Sequence, residues 1–358
     1  MSTSKPSARR GGRIGVRDVA QLAGVSTQTV SRVINKRPDV SQETRAAVER
    51  LIAETGFQPS AVARSLVQRR SQTLGVIVAG LRYFGVAQTL NGITEEAQAA
   101  GYGVLLKEIE STDTVDIGPV IEFMIAHRVE AIIFATPQLG TNISKVRSEL
   151  PAASPPVIFL KSEPSPVFST IVIDNYGGAR QATAHLLALG RRRIGHLAGP
   201  LPWLEAQDRH DGWFDALRDA GVEPGPVVPG TWTPASGEAG FEQLLALAPD
   251  LDGLFVANDQ MALGVLRIAN ERGIAIPDTI AVVGFDGLDE AAHFTPTLTT
   301  VVQPLRELGE LAVREVLSIA NEAQGRGTVR SLSLATQLVA RESAPAITRA
   351  AATSTART

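Results

Sequence analysis

Between Ile14 and Asn35 the apolar residues recur at helical spacing in two short blocks. Val19, Ala20, Leu22 and Ala23 form one stripe, and Val30, Val33 and Ile34 form a second. Gly24 permits a tight turn between them, and Ser26 stands where an N-cap is needed. The spacing predicts two helices joined by a turn, the second of which carries Thr27, Gln28, Ser31 and Arg32 on the face opposite its apolar stripe. A third helix is expected from Gln42 to Glu54, opened by Ser41 and stopped by Gly56. Pro59 then restricts the backbone before Ser60 to Val67, a helical stretch too short to be stable alone, which reads as a linker. From Leu74 the rhythm changes to short apolar runs, each followed by a helix-length segment. LGVIVAG, YGVLLKE, AIIFAT, PVIFLK, IGHLAG, GLFVAN and IAVVGFD are the predicted strands.

Strands alternating with helices over most of the chain indicate parallel sheets covered on both faces, and there are too many such units for one small sheet. The expected fold is a small all-α helix-turn-helix head followed by an α/β core of two Rossmann-like lobes. Breaks are expected at Thr170–Asp174, where STIVIDNYGG leads from a strand into a new helix, and near Thr299–Pro304. The head is assigned to residues 14–58, a hinge or linker to 59–70, and the core to 71–344. Lobe 1 takes about 71–172 and 304–330, and lobe 2 about 173–303 and 331–344. The tails, 1–13 and 345–358, rich in Ser, Thr, Ala, Pro and Arg, are expected to be disordered. Ligands of such folds bind outside the carboxyl ends of the strands, so strand-terminal residues are the ones that matter for chemistry.

An ordinary αα-hairpin with a solvated face would show the same periodicity; charge decides between the two. Residues 1–70 hold 13 Lys/Arg against 5 Asp/Glu, whereas the rest of the chain holds 21 against 32. The nearly neutral total, −3, thus conceals a basic head on an acidic body, as expected when only the head meets phosphate. There is no cysteine, which excludes thiol nucleophiles and disulfides and fits a reducing cytoplasm. No apolar signal segment or membrane span is evident, and a cytoplasmic location is expected. His127, His185, His196, His210 and His293 lack metal-ligand spacing, and neither a phosphate loop nor a nucleophile elbow occurs. The chain is therefore expected to be no enzyme and to need neither metal nor cofactor. His196 and His293 read as ordinary core or surface histidines.

The chain resembles the LacI/GalR family of transcriptional repressors from about Val16 to Glu342. The resemblance rests on DVAxLAGVSxxTVSRVIN in the head, the hinge segment ending in Leu66, LAGP at Leu197–Pro200, RxxGW at Arg209–Trp213, VANDQMALG at Val256–Gly264, VVGFD at Val282–Asp286 and PTLTTVVQP at Pro296–Pro304. It implies a hinge helix, and a dimeric core shaped like a periplasmic sugar-binding protein. It also implies that Thr27 and Gln28 contact bases, and that Ser31, Arg32 and Asn35 grip backbone and neighbouring bases. Gln pairs bidentately with adenine, and Thr offers a hydroxyl and a methyl. Lactose-responsive members carry Tyr where Thr27 stands, so the operator should differ from theirs. Leu66 matches a leucine that relatives wedge into the minor groove at the operator centre; otherwise it is a plain hydrophobic hinge contact. A pseudo-palindromic operator with a central CG step is expected.

For the core, the resemblance assigns Arg209, Asn258 and Asp286 to a small sugar or sugar-derived effector, with Trp232 packing on the ring. Buried Asn and Asp also cap helices, so a structural role competes for each. Phe84 lies in the first strand-to-helix loop, Gln303 at a crossover, and Trp203 either stacks on ligand or anchors its loop. Lactose-responsive members place an acid where this chain has Lys161. A cation there either selects a carboxylated or phosphorylated sugar or points into solvent. The expected function is repression of carbohydrate-utilisation genes by a homodimer on operator DNA, relieved by the effector. Purine-responsive relatives act with the opposite sign, as corepressor-dependent regulators. No leucine heptad follows Glu342, so a dimer rather than a tetramer is expected. A sugar sensor without DNA activity would account for the core alone, and a sugar-modifying enzyme would need a catalytic constellation that is not apparent.

Overall fold

The computed structural model describes residues 14–57, 70–110, 117–137, 150, 154–322 and 328–346. The chain divides into two compact units, one ending at Ser71 and the other starting at Gln72. In the first, α1 (Val16–Leu22), α2 (Thr27–Ile34) and α3 (Gln42–Thr55) enclose Val19, Ala20, Val30, Val33, Val48 and Phe57. Asp18 accepts from the backbone N–H of Gly15 at 2.8 Å, so an orphan amide at the start of α1 is satisfied. Ser26 Oγ accepts from Thr29 N at 3.0 Å and Ser41 Oγ from Thr44 N at 3.3 Å, each capping its helix. Gly56 ends α3 with φ of 62°, a left-handed turn that a side chain would strain. Leu22 departs from the expected apolar stripe: it is 56% exposed and lies outside the apolar cluster that the three helices enclose. Residues 58–69, and with them most of the expected hinge and Leu66, lie outside the described residues, as do residues 1–13 and 347–358 of the expected tails.

The second unit contains two six-stranded sheets. The first has the order β11-β5-β4-β3-β1-β2, all parallel, built from β1 (Thr73–Ala79), β2 (Gly103–Ile109), β3 (Ala131–Ala135), β4 (Val157–Leu160), β5 (Ser169–Ile173) and β11 (Ser331–Leu334). Its central strands are unbroken apolar runs because both faces are covered. Val76 and Val78 face α4 (Phe84–Ala99) and α10 (Leu305–Asn321), while Ile77 faces α5 (Gly118–Ala126) on the other side. α4 and α10 meet backbone to backbone at Gly92 and Gly309. A Cβ on Gly92 would overlap the carbonyl of Arg306, and one on Gly309 that of Thr89.

The second sheet has the order β12-β10-β9-β8-β6-β7 and is parallel apart from its edge strand β12. Its strands are β6 (Ile194–Ala198), β7 (Val227–Pro229), β8 (Gly253–Val256), β9 (Ala281–Asp286), β10 (Thr299–Val302) and β12 (Gln337–Val339). One face packs on α8 (Pro234–Leu247) and α9 (Asp259–Glu271), around Leu254, Val256, Phe241 and Val265. The other packs on α6 (Asn175–Ala188) and α7 (Leu204–Asp219), around Phe255, Phe285, Ala182 and Trp213.

The chain passes between sheets after β5, after β10 and between β11 and β12. The last passage corrects the expected boundary, which placed residues 331–344 wholly in lobe 2. β11 pairs in parallel with β5 of the first sheet, so Ser331–Leu334 belongs to lobe 1 and only the residues from Gln337 extend the second sheet. The crossing lies at Ala335–Thr336, stitched to the first crossing by Asp174 N donating to Leu334 O at 2.8 Å and by Gln181 Nε2 donating to Thr336 O at 3.3 Å.

Candidate functional site

On the head, Thr27, Gln28 and Arg32 are exposed and Ser31 is half-buried on the face of α2 opposite Val30 and Val33. Arg32 pairs with Asp39 at 3.4 Å, an exposed contact of little stabilising weight that leaves the guanidinium available to an anion. The Asn35 amide turns back onto α2, donating to Ser31 O at 2.8 Å and to Ser31 Oγ at 3.3 Å, so it finishes the helix. Hydroxyl, amide and guanidinium groups on one exposed face of a short helix are the equipment for reading base edges and phosphates.

In the core, Phe84, Lys161, Trp203, Arg209, Trp232, Asn258, Asp286 and Gln303 all line one cavity. Its empty space is about 710 Å³ including the open mouth. The lining comes from strand ends: Lys161 follows β4, Asn258 follows β8, Asp286 ends β9 and Gln303 follows β10. Lys161, Trp232 and Asp286 have φ of 59°, 68° and 118°, in the region that side chains avoid. Each such residue costs about 1–3 kcal/mol, which the surrounding packing must offset to hold these side chains on the cavity.

Arg209 and Asp286 form the polar centre. Arg209 is 5% exposed; its Nε donates to Asn175 Oδ1 at 2.9 Å, and its Nη1 to Ala257 O at 2.5 Å and Asp286 Oδ1 at 3.4 Å. Gln303 Nε2 donates to the same Asp286 oxygen at 2.6 Å. Burial pushes the Asp286 carboxyl up, and Arg209 and Gln303 oppose that shift. Asp286 Oδ1 is thus occupied, whereas Oδ2 accepts from no donor among the described residues, which equips it to accept from a hydroxyl in the cavity.

Asn258 behaves differently. Its Oδ1 caps α9 by accepting from Met261 N at 3.0 Å, and its Nδ2 donates to Trp232 O at 3.1 Å. It holds Trp232 in place at least as much as it faces the cavity. The Trp232 ring rests on Gly199, where any Cβ would overlap it. Trp203 meets Trp232 edge-on, with centroids 5.8 Å apart, and meets Tyr83 of the first lobe at 5.1 Å and 85°. It therefore both anchors its loop and presents an aromatic surface. Arg209 stacks on Phe285 at 3.9 Å, closing the floor.

The sequence reading missed Tyr83, Asn175, Glu205, Asp208 and Gln260, all of which line the cavity. Glu205 and Asp208 sit one turn apart on α7, on the side that carries Arg209; that i, i+3, i+4 grouping was the available signal. Burial, then the nearby Glu205, pushes the Asp208 carboxyl up to about 6. Lys161 is drawn below the usual lysine range by burial, against the attraction of Glu205 and Asp286. Behind the cavity, burial pushes Asp259 up to about 7, although it accepts from Gly287 N, Leu288 N and Thr300 Oγ1. His196 lies in the core between Trp213 and Phe255, away from the cavity lining. Among the described residues no group of His, Asp and Glu is arranged to hold a metal, and no helix is long and apolar enough to cross a membrane.

The profile of the lacI family of bacterial regulatory proteins matches residues 16–60, and that of a periplasmic binding protein-like domain matches residues 183–344. The lactose operon repressor of Escherichia coli (strain K12) is 32% identical over 325 residues, covering 91% of this chain and 89% of its own. The HTH-type transcriptional regulator CelR of Thermobifida fusca is 34% identical over 339 residues, covering 91% and 96%. A crystal structure of the lac repressor dimer bound to operator and the anti-inducer ONPF superposes with a TM-score of 0.85 at 31% identity, covering 94% of this chain and 100% of that one. A CelR–cellobiose complex superposes with a TM-score of 0.68 at 31% identity, covering 92% and 100%. With a polar-faced helix-turn-helix head followed by two parallel-sheet lobes around one polar and aromatic cavity, the chain belongs to the lacI family of bacterial regulatory proteins.

Proposed function

We propose that this protein is a sequence-specific transcriptional repressor. It binds a pseudo-palindromic operator as a homodimer and is released by a small saccharide or saccharide derivative held in the core cavity. The observation that carries the reading is the cavity itself, where the Arg209–Asp286–Gln303 cluster lies beside Trp203, Trp232 and Phe84. Sugar rings present adjacent hydroxyls to planar donors and acceptors and C–H faces to aromatic rings. Fused to a head with an exposed Thr27–Gln28 face, such a site makes a ligand-controlled DNA reader. The lac repressor is seen as a dimer on operator, and CelR with cellobiose. Here Thr27, Gln28, Ser31 and Arg32 take the DNA, with Asn35 finishing the helix. Leu66, outside the described residues, would wedge into the minor groove. The chemistry required is binding alone, and the protein acts as a regulator rather than an enzyme.

The ligand acts through its differential affinity for DNA-competent and DNA-incompetent states, so it shifts operator affinity only as far as it distinguishes them. The test is an operator selected from random duplexes by the full-length protein, followed by titration with a saccharide panel. A palindromic selected site and saccharide-dependent release are expected. A selected site without two-fold symmetry, or no selected site at low salt, would refute the repressor reading.

A further inference from the structure

Among the described residues, two charged groups that line the cavity make no hydrogen bond or ion pair with a side chain or backbone group. Glu205, in the first turn of α7, is 9% exposed and its Oε2 is buried without a donor. Lys161, after β4, makes no hydrogen bond through its ammonium and pairs with no carboxylate within 4.0 Å among the described residues; its Nζ lies beside Gly85 at the start of α4. Lys161 belongs to the first lobe and Glu205 to the second, and Glu205 is the strongest attraction that Lys161 experiences. Even so, no ion pair joins them. Lys161 is moreover held with φ of 59°, so its backbone is committed to this placement.

The remaining charges decide what fits between them. Arg209 and Asp286 already satisfy each other, and Asp208 adds a further carboxyl at the edge. The cavity therefore compensates its own cations. The carboxyls of Glu205, Asp208 and Asp286 outnumber the cations Lys161 and Arg209, so an anionic ligand that reached Lys161 would also face the unpaired Glu205 carboxylate, and a purely cationic one would leave Lys161 unsatisfied. Hydroxyl groups donate and accept at once, so one hydroxyl giving its proton to Glu205 and a nearby oxygen accepting from Lys161 would satisfy both.

We infer that Glu205 and Lys161 form a clamp across the cavity that selects an uncharged polyhydroxyl ligand, with Glu205 as the specificity-determining acceptor. The inference rests on the reading of the cavity as the effector site. It sets aside a carboxylated or phosphorylated sugar as the ligand favoured by Lys161.

Calorimetry on the full-length protein tests it, with glucose, galactose, cellobiose and lactose beside glucuronate, glucose 6-phosphate and glucosamine. A neutral sugar should bind tightest. Glu205→Gln should weaken that binding about tenfold or more, since a charge-assisted hydrogen bond is replaced by a neutral one. The same variant should improve glucuronate relative to the neutral sugar, because Lys161 loses its compensating charge. Lys161→Met should also weaken the neutral sugar and carries the test if Glu205→Gln does not fold. Absence of binding by every neutral sugar, whichever charged ones bind, overturns the clamp. So does a folded Glu205→Gln protein that keeps neutral-sugar affinity within about twofold of the parent. Operator release by glucuronate alone would overturn the clamp and leave the regulator reading standing. Failure of operator binding would refute that reading and leave the calorimetric comparison in force.

Discussion

Arg209 is the residue on which most of the cavity converges, since one guanidinium serves Asn175, Ala257 and Asp286 and stacks on Phe285. Arg209→Met would leave Asp286 buried without its cation, and breaking a buried pair in this way costs about 3–5 kcal/mol. A lower melting temperature and loss of saccharide binding are expected. Arg209→Lys keeps a cation beside Asp286 and should recover much of the stability but little of the saccharide binding, because one ammonium cannot reproduce the fork. His196 supplies the pH prediction. Burial holds its imidazole neutral down to about 3, against 6.5 in the unfolded chain. Below pH 6.5 the unfolded state takes up a proton that the folded state refuses, so this contribution to stability is lost as pH falls toward 3. At pH 4.5 the loss is about 2–3 kcal/mol. Asp259 works in the opposite sense, losing stability as pH rises from about 4 to 7. His196→Phe compared with the parent isolates the histidine: their melting temperatures should diverge increasingly below pH 6.5. Residue types at strand ends were legible from the sequence because family motifs mark them. Glu205 and Asp208 were not, since acids in a helix's first turns are usually explained by the helix dipole.

At the scale of elements, the strands that are central and apolar were readable, and so were the caps Ser26, Ser41 and Gly56, because each has a local physical cause. The edge strands β7, β11 and β12 were not. They are three or four residues long, β11 is half exposed, and neither glycine nor proline marks the crossing at Ala335–Thr336. Only pairing across the fold distinguishes SLSL from QLV. Two substitutions test the elements. Ser26→Ala removes the cap of α2 and should cost the head about 1 kcal/mol, read by melting and by weaker operator binding. Gly92→Ala would force α4 away from α10, and a loss of about 1–3 kcal/mol or more in core stability is expected from denaturant midpoints.

For the whole molecule, the uneven division of charge separates the tasks: a basic segment for phosphate and an acidic two-lobed core for ligand. Operator affinity should therefore fall steeply with salt, whereas saccharide affinity should hardly change, a contrast that band shifts and calorimetry at two ionic strengths can read. The central claim is that ligand in the cavity controls DNA binding through Arg209, Asp286 and their neighbours. Its most direct test is operator affinity of the full-length protein with and without the saccharide that calorimetry identifies, repeated with Arg209→Lys. The parent should lose operator affinity by about tenfold or more when saturated, and the variant should bind operator yet ignore the saccharide. Equal operator affinity in the parent with and without saturating saccharide would contradict it.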